Sequence, residues 1–236
     1  MEAAAHVRAV STPDGASRVA SLRGGGPLCL RNIEDVVYMD IAPQSGDDLW
    51  LDITIDPGAH LALRGVGGFL TPPDPFGLPS HLTITATVGD GATLDWQPQP
   101  TVSVEGSLFR SSTSISLGKG AKLTYVEDIC LGLKHKTPGG ITSSLQIRRN
   151  DQLIVRNTNR LGRDSLDSTS YSAARELRRI TTMIRSTDQP IHANPICWHM
   201  EAFERSAVAS MQLEKLQFDV SVVRRAGAHA LSISNN

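Results

Sequence analysis

Cysteine is scarce in this 236-residue chain. It has three, Cys29, Cys130 and Cys197, widely separated and with no C-x-x-C spacing. An odd, scattered set excludes a disulfide framework and a zinc ribbon, and a reducing cytoplasmic setting is the expectation. Long apolar runs are missing too. Nothing approaches the roughly 18–20 residues that cross a bilayer as a helix, so no membrane role is expected. The opening MEAAAHVRAV carries an acid at position 2 and no apolar stretch of signal-peptide length, and is not read as a secretory leader. Charge of one sign is absent. A net charge of −1 argues against gripping nucleic acid, which wants a basic surface. Aromatics make up only 5%, which leaves few rings for the open stacking platforms of carbohydrate binders. G-x-S-x-G, H-E-x-x-H and the kinase motifs do not occur. Gly118-Lys119-Gly120-Ala121-Lys122 lacks phosphate-loop spacing and reads as a turn.

What the chain has in quantity is small hydroxyl residues, 40 serines and threonines, and strict alternation. Leu49, Leu51, Ile53 and Ile55 alternate with polar neighbours, as do Leu82, Ile84, Ala86 and Val88. Period 2 places one set on a core face and the other outside. Shorter runs follow at Val102/Val104, Ile115/Leu117, Leu123/Tyr125, Leu145/Ile147 and Leu153/Val155. A Gly-Ala-x-Leu signature recurs between runs, at Gly58–Leu61, Gly91–Leu94 and Gly120–Leu123. It reads as a hairpin turn needing positive φ, or as the corner of a repeating unit stacked into a β-solenoid.

Residues 1–27 show little pattern, and Gly24-Gly25-Gly26-Pro27 reads as a loop. A β body is expected over 28–160, followed by helices and closing strands over 165–236, all in one domain. Tyr171, Ala174, Leu177, Ile180 and Ile184 fall at helical spacing. So do Ile196, Met200, Phe203, Ala207 and Met211, after an Asn194-Pro195 start signal. The expected fold is mainly β, a stacked-sheet or solenoid-like body with two C-terminal α-helices.

Two acids stand out by position. Asp47 follows Gly46 just before the first strong strand, and Glu127 closes the run Leu123-Thr124-Tyr125-Val126-Glu127. Spacing alone makes each an ordinary strand-end acid. Their context resembles a known family. Gly46-Asp47-Asp48-Leu49, then Pro57-Gly58-Ala59, then Leu94-Asp95-Trp96-Gln97-Pro98-Gln99-Pro100, then Leu117 through Glu127, is similar to the urease accessory protein family UreD, also called UreH. The likeness covers about residues 27–160. Departures are visible. Asp95 stands where the family usually has Glu, Arg64-Gly65-Val66 replaces a T-T-Q stretch, and Leu133 replaces the arginine of a G-R-x-x-x-G-E motif whose glutamate is missing.

The resemblance implies a scaffold without catalytic activity. It would bind urease apoprotein and a UreF-like helical protein, and through the complex a UreG-like GTPase. It would help deliver Ni²⁺, held only transiently and with no tightly bound cofactor. Asp47 and Glu127 would lie on the nickel path, because nickel accepts carboxylate oxygen. The competing reading is an all-β module that binds a small ligand or carbohydrate.

Overall fold

The computed structural model describes residues 1–132, 137–162, 177–186, 195–202, 205–212, 219–226 and 229–230, the last four segments by backbone alone. Two sheets, A and B, face each other across one core. β1 (Glu2–Ser11) and β2 (Ser17–Arg23) form a hairpin at one edge of sheet A. β3 (Leu28–Ile33) and β4 (Val36–Ile41) form another at the matching edge of sheet B. From there the chain coils. β5 (Asp48–Ile55) lies in A, then β6 (His60–Gly65) and the short β7 (Phe69–Leu70) in B. The second coil is β8 (Ser80–Val88) in A, with β9 (Thr93–Gln97) and β10 (Thr101–Ser103) in B. The third is β11 (Leu108–Leu117) in A and β12 (Lys122–Leu131) in B, after which β13 (Gly140–Arg149) returns to A.

Neighbouring coils pair in parallel, β5 with β8 and β8 with β11 in one sheet, β6 with β9 and β9 with β12 in the other. The solenoid-like reading is therefore correct. The inward residues stack in register across coils: Ile55 with Val88 and Leu117, Leu61 with Leu94 and Leu123. All six are buried.

The Gly-Ala-x-Leu corners are not hairpins. Each carries the chain from sheet A to sheet B, so the strands it joins are not hydrogen-bonded to each other. Period-2 alternation tells which face a residue takes but not which strand it pairs with, so a hairpin and an arch look alike in sequence. The glycine requirement holds: φ is +71° at Gly58, +65° at Gly91 and +69° at Gly120. The corners stack on one another. Gly58 N–H donates to the Asp90 carbonyl and Gly91 N–H to the Lys119 carbonyl, each at 2.8 Å. Thr93 and Lys122 N–H donate back to the Ala59 and Ala92 carbonyls, also at 2.8 Å. Ala59, Ala92 and Ala121 are buried between the layers.

Coiling stops after β13. Asn150 and Asp151 both take positive φ, which suits a tight hairpin, and the chain returns as β14 (Gln152–Leu161) antiparallel to β13. Sheet B continues with β15 (Leu177–Ser186), antiparallel to β12. β16 (Pro195–Ala202), β17 (Arg205–Gln212), β18 (Asp219–Ala226) and β19 (His229–Ala230) extend the same sheet.

Several expectations need correction. No α-helix occurs among the described residues. Leu177, Ile180 and Ile184 lie in strand β15, Ile196 and Met200 in β16, and Ala207 and Met211 in β17. Tyr171, Ala174 and Phe203 lie outside the described residues. The physical reason is arithmetic: a spacing of four belongs to both periods, so Ile180/Ile184 and Ile196/Met200 fit a helix face and a strand face equally. Residues 1–27, where little pattern is expected, also contain two strands, β1 and β2. Ala5, Val7 and Ala9 do alternate and are buried, but alanines give that alternation little hydrophobic contrast. The Gly24-Gly25-Gly26 stretch leads into a tight turn bridged from Gly25 to Leu28, and position 25 requires glycine because a Cβ there would sit 2.2 Å from the Ala4 carbonyl oxygen.

Candidate functional site

Glu127 does not end its strand. β12 continues through Asp128 to Ile129, Cys130 and Leu131. Leu123, Tyr125, Ile129 and Leu131 form its buried series, and Glu127 occupies the same register. A carboxylate therefore stands in the row of side chains that faces the interior. Two consecutive acids look like a strand terminus in sequence. In the fold they split, Glu127 inward and Asp128 outward, where Arg179 of β15 grips Asp128 through two hydrogen bonds at 2.7 and 3.2 Å.

Several hydroxyls stand close to Glu127 beside a largely apolar cavity wall. Ser143 on β13 donates its hydroxyl to Glu127 Oε1 at 2.7 Å. Ser111 on β11 lies level with Ser143, and Thr182 on β15 is the direct cross-strand partner of Glu127. The Tyr125 hydroxyl is coupled to Thr113 and to Glu127. No Lys, Arg or His among the described residues forms an ion pair with it. Glu127 lines a cavity of about 30 Å³ between the sheets, together with Trp96, Gln99, Phe109, Thr113 and Tyr125.

Burial pushes the Glu127 carboxyl above its usual range, with the Ser143 and Tyr125 hydrogen bonds opposing and the Asp128 charge adding to the rise. The Tyr125 hydroxyl is raised well above its usual value, mostly by burial and then by the nearby Glu127 charge. The sign of the stability effect follows. A carboxyl raised in the fold holds a proton that the unfolded chain releases, so stability is full below about pH 4 and falls as pH rises through the folded value. Glu127→Gln mimics the protonated group and keeps an oxygen for Ser143. It is expected to be more stable than the wild type at pH 7–8, with the difference vanishing in acid. Urea midpoints taken across pH measure this, and a variant less stable at pH 8 would contradict it.

Asp47 stands elsewhere. It precedes β5 in the first coil, whereas Glu127 lies in the third, and it does not line the cavity. It is buried, and its oxygens are engaged. The Met1 ammonium donates to Oδ1 at 2.9 Å, and Gln44 N–H donates to Oδ2 at 2.8 Å. Its own carbonyl accepts the His81 N–H at 2.7 Å. The fold thus keeps the two acids apart, one in a loop at the end of sheet A and one inside the sheet pair. No group of three or more His, Cys, Asp or Glu among the described residues is placed to hold a metal.

The Leu94–Pro100 segment has a structural explanation. Trp96 is fully buried and meets Tyr125 edge to face, with centroids 5.1 Å apart and planes at 66°. Gln99 is buried and acts as a short strand. Its side-chain amide donates to the Ile41 carbonyl at 2.8 Å and accepts the Ile41 N–H at 3.1 Å. Asp95 faces outward and binds Arg64. Ser143 and Thr182 are the neighbours of Glu127 that sequence reading missed. The signal is one hydroxyl in each inward apolar row, Ser143 between Ile141 and Leu145 and Thr182 between Ile180 and Ile184.

The UreD urease accessory protein family model matches residues 2–235 of this chain. Curated relatives agree with it. A protein described as urease accessory protein UreD 2 of Saccharopolyspora erythraea is 32% identical over 163 residues, 66% of this chain and 57% of its own length. The urease accessory protein UreD of Frankia alni is 34% identical over 173 residues, 62% of this chain and 58% of its own. That of a Parafrankia species is 35% identical over 141 residues, 56% of this chain and 48% of its own. The chain thus spans about half the length of the curated relatives it matches. With a family model covering nearly every residue, this chain belongs to the UreD family of urease accessory proteins.

Proposed function

We propose that this chain is a non-enzymatic scaffold in urease maturation, through whose interior Ni²⁺ passes on its way to urease apoprotein. It acts in the cytoplasm, in a complex with a UreF-like helical protein and, through that protein, a UreG-like GTPase. Family membership supports the urease setting, and relatives described as urease accessory proteins support it further. The observation that carries the ion path is Glu127, a carboxylate inside the sheet pair, on a cavity wall, with hydroxyls around it and no cationic partner among the described residues. An inward-facing, partly buried carboxylate without a counter-cation is poised either to keep a proton or to take a metal ion. A lone carboxylate among neutral oxygens binds a divalent ion weakly, as a conduit requires if it is to release its cargo. In this reading Asp47 serves the same path at the end of sheet A.

The test is co-expression with urease subunits and the other accessory proteins, reading assembly by pull-down and nickel by elemental analysis of purified urease. Glu127→Gln and Asp47→Asn are expected to assemble normally and to lower nickel per urease several-fold. Full nickel loading with both substitutions together would remove these residues from the mechanism. Loss of soluble protein with Asp47→Asn, at unchanged nickel per urease, would make Asp47 a loop anchor only.

A further inference from the structure

We propose that Thr182 supplies the second protein oxygen at the Glu127 station, so that a divalent cation inside the sheet pair is held between the Glu127 carboxylate and the Thr182 hydroxyl. This rests on the reading that ions pass Glu127. The two residues are direct partners across the β12–β15 ladder. Such partners lie about 4.5–5.5 Å apart at Cα and raise their side chains on the same face of the sheet. Thr182 is almost completely buried, at 1% exposure, and its Oγ1 has no hydrogen-bond partner. Its neighbours in the inward row of β15, Ile180 and Ile184, are buried and apolar. They offer it no polar contact.

An unpaired hydroxyl in a native core calls for an explanation, commonly an unseen water or ion. Here two other hydroxyls near Glu127 are already engaged. Ser143 has given its hydrogen to Oε1, and Tyr125 is coupled to Thr113 and Glu127. Thr182 is the fully buried hydroxyl directly across the ladder from Glu127, on the same face, and it has no partner. No hydrogen bond joins Glu127 and Thr182 directly, so a link between them needs a third body such as a water or a metal ion.

The cavity that Glu127 lines measures about 30 Å³ and admits one or two waters, not an ion with a full hydration shell; Thr182 stands beside Glu127 across the β12–β15 ladder rather than in that lining. An ion entering must exchange most of its water for oxygens of the wall. One carboxylate is too few, and a neutral hydroxyl adds a ligand without adding charge. The ion therefore stays weakly held. In the absence of an ion a water bridges the same two groups.

The test uses the purified full chain and Ni²⁺ alone as titrant. Binding is read by calorimetry as the difference from Glu127→Gln, which removes contributions from surface histidines. Thermal midpoints are taken with and without metal. Thr182→Val, equal in shape and lacking the oxygen, is expected to weaken Glu127-dependent Ni²⁺ binding about tenfold and to abolish the metal-induced rise in midpoint. Its metal-free midpoint should equal or exceed that of the wild type. Thr182→Ser restores the oxygen and is expected to bind Ni²⁺ within about twofold of the wild type. Wild-type binding by Thr182→Val, with binding lost in Glu127→Gln, would overturn this assignment and leave the ion path standing. Identical titrations for the wild type and Glu127→Gln would overturn both. Loss of binding in Thr182→Ser as well would show that side-chain shape, not the oxygen, matters at this position, and would also overturn the assignment.

Discussion

Gly65→Ala is expected to cost about 3 kcal/mol or more, at the upper end for overpacking a core, and to leave little folded protein at 37 °C. A Cβ there would sit 1.9 Å from the Gln99 backbone nitrogen, 2.4 Å from its Cα and 2.6 Å from its Cβ. Backbone cannot swing aside as a side-chain tip does. Gln99 is also pinned, because its amide pairs with both backbone groups of Ile41. Moving it would leave two buried polar groups unpaired, at about 1–3 kcal/mol each. A comparison lies three residues away. A Cβ on Gly68 meets only the Pro100 carbonyl oxygen, at 3.7 Å, and Gly68 does not take positive φ. Gly68→Ala is therefore expected to stay within about 0.5 kcal/mol of the wild type. Urea denaturation of the two variants measures the contrast, and equal stabilities would refute the close-approach argument.

Trp96→Ala is expected to destabilise the chain by about 3–5 kcal/mol. The ring is fully buried, stands between the sheets and supports Tyr125 edge to face. Its loss enlarges the cavity that Glu127 lines. It also frees Tyr125 to leave the position in which it is coupled to the carboxylate. Trp96→Phe is expected to cost much less than alanine. Phenylalanine keeps an edge for Tyr125, and the buried indole Nε1, which has no partner, is removed. Thermal melts of both variants test this ordering. A phenylalanine variant as unstable as the alanine one would show that the indole nitrogen has a partner after all.

Trp96 and Gln99 belong to the segment that carries the family resemblance, whereas Gly65 lies where the family's T-T-Q stretch is replaced. The fold uses them as parts of one joint between the coils. A large ring and a backbone-like amide close together on a strand are chemically unusual, so that segment stands out in sequence. Ser143 and Thr182 do not. A hydroxyl in a strand is ordinary, and only its neighbours across the sheets give it a role.

By itself the sequence determined the local rules of this protein. Alternation assigned the core faces of β5, β8, β11, β12 and β13, because side chains on a strand point to opposite sides whatever its partner. The three Gly-Ala corners were legible because positive φ nearly demands glycine. The family was legible in the Trp96–Gln99 segment. Tertiary structure decided everything that depends on partners. It made the corners arches rather than hairpins, since hydrogen bonding between coils, not within them, closes the sheets. It made strands of segments whose spacing of four suits either period, because the open edge of β12 offered backbone groups that β15 could pair. It moved Glu127 from a strand end to the interior and set it level with Thr182 and opposite Ser143. It also kept Asp47 in a different coil. Those placements join residues 16 and 55 positions apart from Glu127 in the chain. No local pattern encodes such separations, and they arise only when strands from different coils lie side by side.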